Sequence, residues 1–189
     1  MESEYVKAHF EDEEPIFFQA DDFISGNLEN DIQINMTDLA IKVQDNKNNV
    51  QVFLGMFVYF RCNKNIGTYI EILKNKSTGT KQGDRMQMDS GEFEKYFNVF
   101  SNNKIIAMQL LTSDVMTDLI DFYNKYKINF EIVIREDTVY MRFFTGNMFE
   151  PKISKNPIDK SVLFVYYSIL KFIIEISNKI YKTIQETEV

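Results

Sequence analysis

Few side chains in this 189-residue sequence have the types and spacing that catalysis or metal binding requires. His9 is the only histidine and Cys62 is the only cysteine, and the two lie far apart in the chain. A zinc site, or a nucleophilic cysteine with its base, needs several such groups brought together. We therefore interpret His9 as incidental and Cys62 as a small buried hydrophobic residue. We expect no catalytic residue, no metal ion and no cofactor.

Two acidic runs and one glycine-containing segment are the next candidates for ligand binding. Asp21-Asp22 and the run from Glu11 to Glu14 could attract a divalent cation, but neither has the Asp-x-Asp-x-Asp-Gly spacing of a calcium loop. Residues 79–83 lack the Gly-x-x-x-x-Gly-Lys-Ser/Thr spacing that directs several backbone N–H groups at one phosphate. We interpret the acidic runs as solvated segments and residues 79–83 as part of a surface loop.

A polar stretch over residues 74–85 predicts the longest exposed loop of the protein. It is rich in Lys, Asn, Gly, Ser and Thr and has no apolar face. Its cations are the candidate contacts for an anionic lipid headgroup or an acidic partner, and they are Lys74, Lys76, Lys81 and Arg85.

The composition predicts a single globular domain. With 44% hydrophobic residues, 17 Phe and 10 Tyr, the chain can bury a sizeable core. One cysteine cannot form an intramolecular disulfide, so we expect a reducing compartment. The acidic start of the chain is also unlike a secretory leader. These features favour a cytoplasmic protein.

The negative charge is concentrated at the start of the chain. Of the 28 acidic residues, ten lie within the first 31 positions, where Lys7 is the one Lys or Arg. Because residues 1–14 combine like charge with few apolar side chains, we predict a mobile acidic lead-in there, followed by one globular domain over residues 15–189. The body lacks the basic stripe that binds phosphate backbones, so we predict no nucleic-acid partner.

The apolar pattern predicts strands in the first part of the domain. Apolar residues alternate with polar ones from Ile32 to Met36 and again from Leu39 to Val43, but in the opposite phase. We predict a bulge or a single helical turn at residues 37–38. Residues 50–60 are apolar on both faces and predict a central strand, in which Gly55 indicates a bulge or a close backbone contact.

The later part of the sequence predicts helices and a hairpin. Helical periodicity indicates helices at residues 104–111 and from about 112 onward, and two alternating strands joined at Glu136-Asp137 predict an antiparallel hairpin. Asn156-Pro157 indicates the start of a long helix that ends near Gln185. Charged residues interrupt this helix too often for it to span a bilayer, so we expect it to pack on the core.

Together these elements predict an α+β fold. We expect a bent antiparallel sheet with a helical pair inserted before a C-terminal hairpin, and then a long C-terminal helix. The alternative is a pleckstrin-homology-like barrel with a C-terminal helix, in which residues 74–85 would be the contact loop.

Two segments carry a resemblance to a known family. Residues 52–57, Val-Phe-Leu-Gly-Met-Phe, are similar to an apolar strand with a Phe-x-Gly-x-Phe core, and residues 92–101 match a second segment of the same family. From about Asp21 to about Ile180 the chain resembles domain-of-unknown-function family 3137, a mostly bacterial group. The matching residues are apolar or helix-capping, so the resemblance implies a fold and no reaction. Longer members with N-terminal transmembrane helices imply a module at the cytosolic face of a membrane.

Three functions are consistent with this sequence. The leading hypothesis is a non-catalytic interaction module that binds another protein, because the core pattern leaves no nucleophile, base or ligand cluster over. The first alternative is a peripheral membrane or lipid-associated domain that uses the 74–85 loop. The second alternative is an enzyme whose carboxylates and tyrosines converge only in the folded chain.

Overall fold

The computed structural model describes residues 1–28, 31–45, 48–75, 82–147 and 160–187, with side chains of the last segment described from Phe164 onward. Within these residues the chain forms eight β-strands and four α-helices, with a short 3-10 turn before β6. In chain order the helices and strands are α1 (Glu2–Ala8), β1 (Phe17–Asn27), β2 (Gln33–Asp45), β3 (Asn48–Arg61), β4 (Tyr69–Lys74), β5 (Asp84–Met86), β6 (Phe97–Ser101), α2 (Lys104–Leu110), α3 (Ser113–Tyr126), β7 (Phe130–Arg135), β8 (Thr138–Phe143) and α4 (Lys160–Glu186).

All eight strands form one antiparallel sheet in the order β1-β2-β3-β8-β7-β4-β6-β5. Among the described strands, β1 and β5 each have one neighbour, so the sheet is open. The predicted α+β fold is confirmed, whereas the alternative of a closed pleckstrin-homology-like barrel is wrong. Closure would require β1 to pair with β5, but β5 is only three residues long whereas β1 has eleven.

The two faces of the sheet are covered differently. Helices α2, α3 and α4 pack on one face, which we call the helical face, and bury aromatic rings such as Phe60, Phe97 and Phe130. The opposite face is covered by the start of the chain, and we call it the N-terminal face. Its smaller core joins Phe53 and Phe57 to residues of α1 and the segment after it. The sheet is therefore the middle layer of the domain.

The change of phase in β2 reflects this double cover. Ile34 and Met36 point to the helical face, and Leu39 and Ile41 point to the N-terminal face. The predicted bulge or helical turn at residues 37–38 is wrong, because β2 is continuous there. The pairing of β2 is irregular instead with β1 between Asp21 and Phe23, and with β3 between Ile41 and Lys42. The first half of β2 is buried on one face of the sheet and the second half on the other. The apolar positions therefore shift by one residue although the strand is unbroken.

Residues 1–14 differ from the mobile lead-in that the charge pattern predicts. Glu2–Ala8 is helical, and the side chains of Tyr5, Ala8 and Phe10 are buried against the sheet. Three apolar anchors suffice to dock the segment because its carboxylates also meet cations on the same face.

Helices α2 and α3 lie where the sequence predicts them. Asn103 precedes α2 and its side chain accepts the N–H of Ile106 at 3.2 Å, and Thr112 precedes α3 and accepts the N–H of Val115 at 3.4 Å. The predicted start of the last helix at Asn156-Pro157 lies outside the described residues. The described helix α4 ends within one residue of the predicted end.

Gly55 marks a close backbone contact, one of the two predicted alternatives. A Cβ atom at this position would lie 2.7 Å from the backbone N of Thr145 and would also meet the carbonyl O of Phe143. The chain beyond β8 crosses β3 here, where the N–H of Gly146 donates to the carbonyl O of Leu54 at 3.2 Å. Only glycine leaves room for this crossing.

Candidate functional site

A cleft of about 400 Å³ lies between α3 and α4 on the outer side of the helical layer, and we call it the α3–α4 groove. The ring of Phe122 stacks on Phe172 with 4.0 Å between centroids, and Tyr126 lies 5.1 Å from Phe122. These rings lie where the apolar stripe of α3 meets that of α4. They give the groove an apolar floor.

The wall that α4 contributes exposes large aromatic side chains. Phe164 is 63% exposed and Tyr167 is 64% exposed. Both line the groove, next to Phe172 of its floor. Singly exposed apolar residues are ordinary, but an exposed pair beside an apolar cleft is the composition of a binding surface.

Several charges at the α3–α4 groove are paired. Asp118 of α3 forms an ion pair with Lys179 of α4, and Lys171 lies 3.5 Å from Glu175. Lys125 and Lys171 also lie near Tyr126. Burial raises the pKa of Tyr126, but a hydrogen bond with Ser168 and the two lysines lower it, so its pKa lies below the ordinary value.

A second polar cluster lies on the N-terminal face, around Arg142. β7 and β8 form the predicted hairpin, in which Glu131 lies opposite Arg142. The Nε of Arg142 donates to Oε2 of Glu131 at 2.7 Å, and its Nη1 donates to the hydroxyl O of Tyr5 at 2.9 Å. Nη1 also forms an ion pair with Glu11. The guanidinium is thus enclosed by two carboxylates and a phenol.

Aromatic rings complete the surroundings of this guanidinium. Its Cζ lies 4.5 Å from the ring centroid of Phe10, 5.2 Å from that of Phe144 and 5.7 Å from that of Phe53. Burial by itself lowers the pKa of Arg142, but Tyr5 and the carboxylates of Glu131 and Glu11 raise it further, so the net pKa is raised. Arg142 is therefore a permanently charged side chain in the core.

A second carboxylate of the N-terminal segment, that of Glu4, binds cations at the end of the sheet. Its Oε1 lies 2.9 Å from Arg61 Nη2 and 2.9 Å from Lys7 Nζ. Burial raises the pKa of Glu4, but the hydrogen bonds and charges of these two cations lower it below its ordinary value. Burial also raises the pKa of the neighbouring Tyr140 to about 12.

The single histidine and the single cysteine take different places in the fold. His9 ends α1 in a left-handed conformation. Cys62 is buried at the end of β3, and burial raises the pKa of its thiol to about 12. Of the residues that the structure describes, no three His, Cys, Asp or Glu side chains form a group that could hold a metal ion.

The predicted contact loop is described only in part. Lys74 donates to the hydroxyl of Tyr123 at 2.7 Å and to the amide oxygen of Asn129 at 2.6 Å, so it is engaged with the body. Arg85 is exposed on the edge strand β5. Lys76 and Lys81 lie outside the described residues. The loop as a lipid or protein contact stays a prediction.

Glu131 and Arg142 were missed as a site, although the sequence holds a signal for them. In a hairpin that turns at Glu136-Asp137, residues 131 and 142 are equally far from the turn and must lie opposite each other. In β7 and β8 these two residues alternate with apolar residues of the helical-face core, so both side chains lie on the N-terminal face. Opposite charges facing each other there indicate a cross-strand pair. The role of residues 1–14 as its cover has no comparable signal.

The fold and the two clusters define an α+β domain whose open antiparallel sheet lies between a helical layer and the start of the chain. Residues 51–182 match the family model described as protein of unknown function (DUF3137), and the chain belongs to this family. The resemblance predicted from the sequence is thereby confirmed. A comparison with curated protein sequences gave no match.

The fold is similar to a solved structure. The crystal structure of the mycobacterial trehalose monomycolate transport factor A, TtfA, matches with a TM-score of 0.52 and 7% sequence identity, covering 87% of this chain and 73% of that chain. At that identity the likeness shows the fold alone. Within the described part of this chain, no helix is both long and apolar enough to cross a bilayer.

Proposed function

We propose that the domain is a non-catalytic interaction module that binds an amphipathic helix of another protein in the α3–α4 groove. The observation that carries the proposal is the exposure of Phe164 and Tyr167 beside an apolar cleft. Aromatic residues of this kind supply much of the binding energy of protein interfaces when a partner buries them.

The shape of the groove favours a helix as the occupant. Two packed helices leave a furrow that a third helix can fill with side chains spaced three or four residues apart. The lining charges Asp121 and Lys125 would meet polar side chains at the edges of that helix.

The positions of the most strongly perturbed titratable groups support a non-catalytic role. Tyr5 and Arg142 are enclosed in the core, and Cys62 is a buried thiol. Active sites instead place such groups at the mouth of a cleft, where a substrate can reach them. A cytoplasmic location belongs to the same proposal and rests on the free thiol of Cys62.

Affinity capture from native cells with matched variants tests the proposal. The tagged chain, a Phe164→Ser/Tyr167→Ser variant and an Ile105→Ser control are captured in parallel, and co-purified proteins are quantified by mass spectrometry. Ile105 is a suitable control because it is 71% exposed on α2, outside the groove.

A protein retained by the unsubstituted chain and the control, but lost by the double variant, is the expected result. Retention of the same proteins by all three chains would contradict binding in the groove. Circular dichroism of each chain confirms that the substitutions leave the fold intact.

A further inference from the structure

We propose that the N-terminal face carries a second binding site, for an acidic segment of a partner protein with two aromatic anchors. Residues 2–11 of the chain itself occupy this site in the structure. The site centres on Arg142 and Glu131 and lies on the face of the sheet opposite the α3–α4 groove. We call it the Arg142 well. The residues that form it are different from those that line the α3–α4 groove.

The Arg142 well has the composition of a recognition site. Aromatic rings lie near its guanidinium, namely Phe53 of β3 and Phe144 just after β8. The same core carries Leu39, Ile41, Phe57 and Tyr140. A cation held among aromatic rings binds a carboxylate strongly, since little water competes with the ion pair. The carboxylate of Glu131 accepts a hydrogen bond from Nε of Arg142 and so holds the guanidinium in place. Nη1 remains directed at residues 2–11, where it donates to Tyr5.

The occupant shows what chemistry the well accepts. Tyr5 is 2% exposed and Phe10 is 1% exposed, so both rings are inserted completely. The rings of Tyr5 and Phe57 meet edge to face with centroids 5.3 Å apart. Glu11 pairs with Arg142, and Glu4 reaches Arg61 at the rim. The recognised pattern is therefore a short acidic helix with a tyrosine, a phenylalanine five residues later and a carboxylate next to it.

The way in which residues 2–11 are attached allows exchange with another chain. Among the described residues, no backbone–backbone hydrogen bond joins this segment to the sheet, and side chains make the contacts. A helix of seven residues is too short to be stable alone, so release of the anchors would unfold it. Residues 12–14, which lead toward β1, are exposed. Detachment would therefore break no strand pairing.

The centre of the well lies within the family match, and its cover does not. Phe53, Phe57, Glu131 and Arg142 lie within the matched residues 51–182, whereas residues 2–11 lie outside them, as does strand β2. In this proposal residues 2–11 act as a ligand attached to the domain. A ligand tethered by a short flexible linker competes at an effective concentration of about 1 mM. Weakening the tethered segment should open the well to a ligand added from outside.

A binding assay with the full chain tests the proposal. The probe is a fluorescein-labelled peptide of residues 1–14, and its binding to the unsubstituted chain and to a Phe10→Ala variant is followed by fluorescence anisotropy. Phe10→Ala removes one anchor of the tethered segment and leaves the well unchanged. The variant is expected to bind the peptide at least about tenfold more tightly than the unsubstituted chain, because the tethered competitor is weaker.

Two controls establish where the peptide binds. A peptide with Tyr5→Ser and Phe10→Ser lacks both anchors and should not bind the variant. The full chain with Ile105→Ala, a change on the helical layer, should bind like the unsubstituted chain. Equal affinity of the Phe10→Ala variant and the unsubstituted chain for the peptide, with the variant still melting cooperatively, would overturn the proposal.

A second variant keeps the test decisive if Phe10→Ala does not fold. Glu11→Gln removes one charge that faces Arg142 and keeps both aromatic anchors, so the peptide should bind it at least about threefold more tightly than the unsubstituted chain. An unchanged affinity would then overturn the proposal. Light scattering shows whether the occupant is a second copy of this chain. We expect a monomer. A dimer that Phe10→Ala or Glu11→Gln abolishes would overturn the assignment to a partner protein.

Discussion

The guanidinium of Arg142 and the carboxylate of Glu131 face each other across the β7–β8 hairpin, with 2.7 Å between Nε and Oε2. Both side chains are almost fully buried, at 4% and 5% exposure. An ion pair of this kind stabilises little compared with apolar residues of the same size, because both charges lose their hydration. Its effect on the free energy of unfolding is large only when one of the two side chains is removed and the other stays buried.

Arg142→Ala should destabilise the domain strongly. The substitution leaves Glu131 buried without its cation, which costs about 3–5 kcal/mol. The double variant Arg142→Met/Glu131→Leu removes both charges and should recover most of that loss. Chemical denaturation of both variants measures the difference. A double variant as unstable as Arg142→Ala would show that the pair itself, rather than an isolated charge, determines the stability.

Glu4→Gln should make the stability less dependent on acid. The pKa of Glu4 is lower in the folded chain than its ordinary value of 4.5, so its ion pairs contribute stability above that pH and lose it as the pH falls through the folded pKa. Lys7 and Arg61 are more than half exposed, so we expect a difference of about 1 kcal/mol at pH 7. Melting curves of both chains from pH 7 to pH 3 should approach each other as the pH falls below 4.5. A constant difference over this range would contradict the assignment.

Cys62 should resist alkylation in the folded protein. Burial raises the pKa of its thiol to about 12, and the thiolate is the form that reacts. With iodoacetamide at pH 8, we expect the native chain to react at least about a hundredfold more slowly than the chain unfolded in guanidinium chloride. Mass spectrometry follows the reaction. Equal rates would show that β3 opens at its end in the native state.

Gly55→Ala should destabilise the domain by about 2 kcal/mol or more, because the added methyl group meets backbone atoms that cannot rotate away. Gly91→Ala is the matched control, since its added Cβ would meet no atom within 4 Å. Thermal melting should separate the two variants. A Gly55→Ala chain as stable as the control would show that the segment around Thr145 can move away from β3.

The sequence was sufficient to predict the parts of the fold that depend on local pattern. The capped helices at Asn103 and Thr112 and the hairpin at residues 130–143 follow from periodicity and turn chemistry. The continuous β2 was not predicted, because local alternation cannot reveal that the two halves of a strand are buried by different layers.

The features on which the two proposals rest were harder to predict than the fold. Charge pattern alone assigned residues 1–14 to a mobile lead-in, since the anchors Tyr5 and Phe10 are few and their receptor is distant in sequence. The exposure of Phe164 and Tyr167 depends on how much of α4 its neighbours cover. Contacts between distant segments decide both features, and no short sequence window contains them.

Site-specific photo-crosslinking in native cells tests the central claim most directly. A photoreactive phenylalanine analogue at position 167 lies on the wall of the α3–α4 groove, and the same analogue at position 105 lies on α2 outside it. We expect a crosslinked product with another protein at position 167 and none at position 105. Absence of a product at position 167, or the same product at both positions, would contradict it.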